Sequence, residues 1–133
     1  MKASRKLQAA TVAILLLSSA AALADGPFAG VLTAANRAKY SGTGCPISIV
    51  YSATIKLAPH NGLAFNYHWE RSDGAKGPTH VVRPGRDEYS VVVRDTWRLG
   101  APGQHYDVSE TIHINSRNTH EQYSTPVVNV TCR

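Results

Sequence analysis

Cys45-Pro46-Ile47-Ser48-Ile49-Val50-Tyr51-Ser52-Ala53-Thr54-Ile55-Lys56-Leu57 alternates between two kinds of side chain. The odd positions from Ile47 to Leu57 are apolar, and the even ones include Ser48, Ser52, Thr54 and Lys56. A period of two places one set on each face of a pleated strand, so this stretch predicts a strand with one face buried and the other wet. Pro59-His60-Asn61-Gly62 then reads as a turn, because Pro, Asn and Gly each suit the backbone angles that turns need. Beyond it Leu63, Phe65, Tyr67 and Trp69 form a second inward row, with Asn66, His68 and Glu70 outward.

The same alternation recurs along the chain. Phe28 to Ala34 predicts a weak first strand and Thr79 to Arg83 a short edge strand. Tyr89, Val91, Val93 and Trp97 make another inward row, in which Asp95 is a misfit. Tyr106, Val108, Ile112 and Ile114 follow, interrupted by Glu110, and Val128, Val130 and Cys132 close the chain. No stretch sustains a helical period. About seven strands at regular spacing predict an all-β, immunoglobulin-like antiparallel sandwich with Trp69 and Trp97 in its core.

The first 24 residues read as an address. Lys2, Arg5 and Lys6 precede an apolar run from Ala9 to Leu17, and Ala22-Leu23-Ala24 offers a cleavage site. This pattern is that of a secretory signal peptide, and the run is too short to span a bilayer. Residues 25–133 are then expected to form a single exported domain, in the periplasm or outside the cell, with no membrane span after cleavage. The full chain carries 14 basic and 9 acidic residues. Three of the basic ones leave with the leader, which reduces the net charge from +5 to +2. The remaining cations are scattered rather than gathered in a stripe, which argues against nucleic acid as a partner. In an oxidising compartment the two cysteines, Cys45 and Cys132, are expected to pair. With strands named A, B, C, C′, E, F and G, Cys45 opens B and Cys132 closes G. Alternating strand directions bring those two points to the same end of the sandwich.

Cys45-Pro46, the Tyr67-x-Trp69-x-Arg71-Ser72-Asp73-Gly74 stretch, Thr96-Trp97-x-Leu99-Gly100 and the closing Val130-Thr131-Cys132 resemble a group of uncharacterised bacterial secreted immunoglobulin-like domains. The resemblance covers roughly Tyr40 to Cys132. It implies a β-sandwich in a bacterial exported setting and no particular activity.

Few residues suggest chemistry. Asp95 and Glu110 lie on inward faces and form a candidate carboxylate pair with raised pKa values; the competing reading is that each sits near a strand end or bulge, or pairs with Arg71, Arg94 or Arg98. There is no Gly-x-Ser-x-Gly elbow and no Gly-rich phosphate loop, and no cofactor is called for. His68 and His113 point outward on strands expected to be neighbours, and are the candidate metal ligands, with Glu70 or Asn66 beside them. The expected function is an exported, non-enzymatic interaction module whose partner is a protein or envelope component. The alternative is a small secreted metal-binding protein or enzyme using the His68/His113 face.

Overall fold

A computed structural model describes residues 28–57 and 64–133. The expected leader, the expected turn at residues 59–62 and Leu63 lie outside the described residues. Among the described residues the chain forms ten strands: β1 (Phe28–Ala35), β2 (Lys39–Gly42), β3 (Ile47–Leu57), β4 (Phe65–Arg71), β5 (His80–Val82), β6 (Ser90–Leu99), β7 (His105–Val108), β8 (Glu110–Ser116), β9 (Thr119–Ser124) and β10 (Val128–Cys132). They are arranged in three hydrogen-bonded ladders, β1-β3-β6, β9-β8-β4-β5 and β2-β10-β7. All pairings are antiparallel except β2 with β10.

The two ladders that contain β8 and β7 are one sheet with a bulge. Ser124 stands opposite Thr111, while Val128 stands opposite Val108, so one strand of the hairpin carries an extra residue. Across the break the Thr125 amide donates to the Glu110 carbonyl at 2.8 Å, and the Glu110 amide donates to Thr125 Oγ1 at 2.9 Å. Pro126, which has no amide to give a ladder, sits in the bulge. This is why ten strands stand where about seven were expected. One expected strand is cut in two as β7 and β8, and the short polar β2 and β9 lack the apolar alternation that betrays a strand.

The β1-β3-β6 sheet packs face to face on this composite sheet. Phe28 meets Phe65 edge to face with ring centroids 5.1 Å apart, and the buried Tyr51 hydroxyl donates to the Val108 carbonyl at 3.0 Å. At one edge Thr33 Oγ1 donates to the Ser124 carbonyl at 2.8 Å, tying β1 to β9. The odd positions of β3 from Ile47 to Ile55 are all buried, as their spacing predicts, and Trp69 and Trp97 belong to the same core. Tyr89 departs from its expected inward row: it is 65% exposed, because β6 begins only at Ser90 and the chain at Tyr89 has not yet entered the sandwich.

Two features mark the immunoglobulin-like plan. Trp69 occupies the core from β4. Near the start of β7, the Tyr106 hydroxyl accepts the Ala101 amide at 3.0 Å, a tyrosine corner that pins the loop entering this strand. Cys45 and Cys132 are bonded with their Cα atoms 5.9 Å apart, within the range a disulfide requires. The bond joins the segment leading into β3 to the end of β10, and hence the two sheets. Gly100, at φ +123°, lies against it; a Cβ there would stand 2.8 Å from Cys132 Sγ, so only glycine satisfies both the backbone and the space.

Candidate functional site

The outer face of the β9-β8-β4-β5 sheet carries the sequence-predicted histidines. His68 of β4 and His113 of β8 are register partners, so their side chains emerge side by side. The rings stack, with centroids 4.7 Å apart and planes 5° from parallel. Imidazole lone pairs lie in the ring plane, so two stacked parallel rings keep them in separate parallel planes rather than aiming them at one ion. His113 is also engaged at both nitrogens: Nε2 lies 3.0 Å from Glu70 Oε1 and Nδ1 lies 3.3 Å from His120 Nε2. Among the described residues no group of three or more His, Cys, Asp or Glu is disposed to hold a metal ion.

The arrangement is a cross-strand polar lattice. His120 Nδ1 lies 2.7 Å from Asn115 Oδ1, and Asn115 Nδ2 donates to Asn66 Oδ1 at 3.2 Å. One end of the same face holds Thr111 and Ser124, whose hydroxyls are 3.1 Å apart. The lattice therefore runs across three neighbouring strands. Burial, then the neighbouring His113 and Lys76, hold His68 below the ordinary imidazole range, with Glu70 opposing. Asn66, Glu70, His68 and His113 were legible by parity in the sequence. His120 was not, because β9 was not read as a strand; Asn115, two residues beyond His113 on β8, shares its outward parity. Counting back from the two-residue turn at Arg117-Asn118 does place His120 opposite Asn115.

On the inner face of the same sheet, the structure brings Asp95 and Glu110 together through Arg71. Arg71 Nη2 lies 3.5 Å from Asp95 Oδ2 and donates to the Thr96 carbonyl at 3.2 Å, while its Nε lies 3.9 Å from Glu110 Oε2. The guanidinium rests 5.1 Å from the Trp97 ring centroid. Glu110 is sealed from solvent, and neither of its carboxyl oxygens has a hydrogen-bond partner among the described residues. Burial first, then the adjacent Asp95, raise its pKa well above the carboxylate range, against the pull of Arg71. The Tyr51 hydroxyl is likewise pushed up to about 12 by burial and by Glu110.

This has a measurable consequence. A carboxyl whose folded pKa is raised binds more protons folded than unfolded between the two values. Stability is then highest below the unfolded value, falls as pH rises through that window, and is level above it. Glu110→Gln should abolish this contribution and stabilise the protein at pH 9 by on the order of 2 kcal/mol relative to wild type, with little gain at pH 4. Urea melts of both proteins across this range provide the check, and their difference cancels the histidines. A variant less stable than wild type at pH 9 would show instead that Glu110 works as the ionised partner of Arg71.

Two hollows flank this network. One of about 150 Å³ is lined by Trp69, Arg71, Lys76 and Asp95, among others. The other, about 380 Å³, lies between β6 and β7 over Trp97, Leu99, Tyr106 and Val108, with Ser72, Asp73 and Asp107 contributing polar atoms. Asp107 is engaged by Asn129 and lies 3.2 Å from His105 Nε2. Among the described residues no cysteine or histidine lines either hollow.

Compared with family models, curated proteins and solved structures, the chain matches none. Among the described residues no helix is long and apolar enough to cross a membrane. The disulfide is consistent with an oxidising, exported compartment.

Proposed function

We propose that this protein is a non-enzymatic interaction module, exported from a bacterial cell, that recognises a protein or envelope component through the outer face of the β9-β8-β4-β5 sheet. The observation that carries this reading is the lattice Glu70–His113–His120–Asn115–Asn66. These side chains hold one another in place on a pleated, solvent-facing surface. Polar groups ordered before binding lose little further freedom when a partner arrives. A signal peptide at residues 1–24 would deliver the domain to the compartment in which its disulfide forms.

Catalysis is less well supported because the potential acid and bases are separated. Glu110, the carboxyl with a strongly raised pKa, points into the core, whereas His68, His113 and His120 stand on the opposite face of the same sheet. No reacting atom could reach both.

The test is retention of envelope proteins by the immobilised wild type and by the Asn115→Ala/His120→Ala double variant. A protein held by the wild type and released by the variant, with the urea midpoint unchanged, is the expected result. Equal retention by both would move the binding site off this face.

A further inference from the structure

The opposite side of the sandwich has a different character. On the outer face of the β1-β3-β6 sheet, register aligns Gly30 with Lys56 and Ser90, Leu32 with Thr54 and Val92, and Ala34 with Ser52 and Arg94. Further along, Ser48 stands beside Arg98. Lys56, Arg94 and Arg98 are exposed and make no ion pair with another described residue. No Asp or Glu stands on this face among the described residues; the remaining positions are Ser, Thr, Val, Ala and Gly. Leu32 is 58% and Val92 43% exposed, and they flank Thr54 in a single row between Lys56 on one side and Arg94 on the other.

Unpaired cations around a small aliphatic row, on a sheet face of short side chains, suit a broad anionic surface with an apolar layer beneath it. We propose that this face docks on an anionic lipid bilayer. Lys56, Arg94 and Arg98 meet headgroup phosphates, and Leu32 and Val92 enter the interfacial layer. A second copy of the chain is a poor occupant, because a two-fold pairing of this face would set its cations against themselves. An acidic protein would satisfy the cations but does not account for two exposed aliphatic side chains in one row. Each near-surface cation strengthens attachment to an anionic leaflet roughly fivefold, and the attraction fades as salt shortens the screening length.

The experiment is co-sedimentation of the purified, disulfide-bonded protein with vesicles of equimolar phosphatidylglycerol and phosphatidylcholine, and with phosphatidylcholine alone. Sedimentation is expected only with the anionic vesicles, weakening as salt rises. Arg94→Gln/Arg98→Gln, which removes two cations, should reduce the partition coefficient by roughly 25-fold, and Arg94→Glu/Arg98→Glu by more. Leu32→Asn/Val92→Asn should keep the charge-driven binding in dilute buffer and lose the part that survives raised salt. All these positions face solvent, so an unchanged urea midpoint certifies the fold of each variant. Protein left in the supernatant with anionic vesicles in dilute buffer, or equal sedimentation of wild type and the Glu double variant, overturns the proposal.

Discussion

Replacing Cys45 and Cys132 together with Ser should leave a protein that folds in the cold and melts at least 15 °C or so below the wild type. The bond spans 87 residues of sequence, nearly the whole domain, and joins the two sheets of the sandwich at one end. In the chain-entropy account, closing a loop of this length removes about 4 kcal/mol of freedom from the unfolded chain. The folded state should change little, because the β3 and β10 ladders continue through their own backbone pairing. Far-UV spectra of the folded variant and the wild type should therefore superimpose, and reductant should shift the wild-type melt to the variant's position. Differential scanning calorimetry with and without reductant decides the matter. A wild-type melt that ignores reductant would mean that the bond does not clamp the sheets.

Trp69→Ala should cost about 3–5 kcal/mol, and the neighbouring His68→Ala much less. The two residues are adjacent in sequence and opposite in environment. Trp69 points inward with Phe65 and Tyr67 and is almost wholly buried, so its truncation removes a large apolar surface and leaves a hole beside an existing 150 Å³ hollow. His68 lies half-buried on the outer face, stacked on His113, and its loss removes one ring contact. The Trp69 indole nitrogen has no hydrogen-bond partner among the described residues. Trp69→Phe, which keeps most of the apolar contact and deletes that orphan, should therefore fall well below the alanine cost. Urea midpoints of the three variants rank them. Equal losses for Trp69→Ala and His68→Ala would mean that β4 presents the other face to the core.

The contrast between these neighbours shows what the sequence carries. Where a strand has one dry face and one wet face, parity alone places every side chain. In this way β3 and β4 could be read residue by residue, and His68 could be set beside His113 before any coordinates. Parity also made Glu110 and Asp95 misfits, and misfits they are: an Arg71-centred network inside the sandwich accommodates them. The polar strand Thr119–Ser124 stayed hidden because neither of its faces is strongly apolar, and with it went His120 and the lattice that it completes. The misfit of Glu110 pointed to a strand end or bulge there, whereas its partner Thr125 and the extra residue of the hairpin left no mark on composition. The cationic face was written in the sequence as scattered Lys and Arg. It becomes a surface only once register sets Lys56, Arg94 and Arg98 on one side of one sheet.

Site-specific photo-cross-linking in the native cell tests the central claim, that the β9-β8-β4-β5 face is where a partner binds. Gln122 is exposed and stands opposite His113 in the middle of that face, whereas Val92 lies on the other sheet. A cross-linker placed at Gln122 should give a discrete protein adduct, and one at Val92 should give none. A discrete protein adduct from Val92, with none from Gln122, would contradict the account.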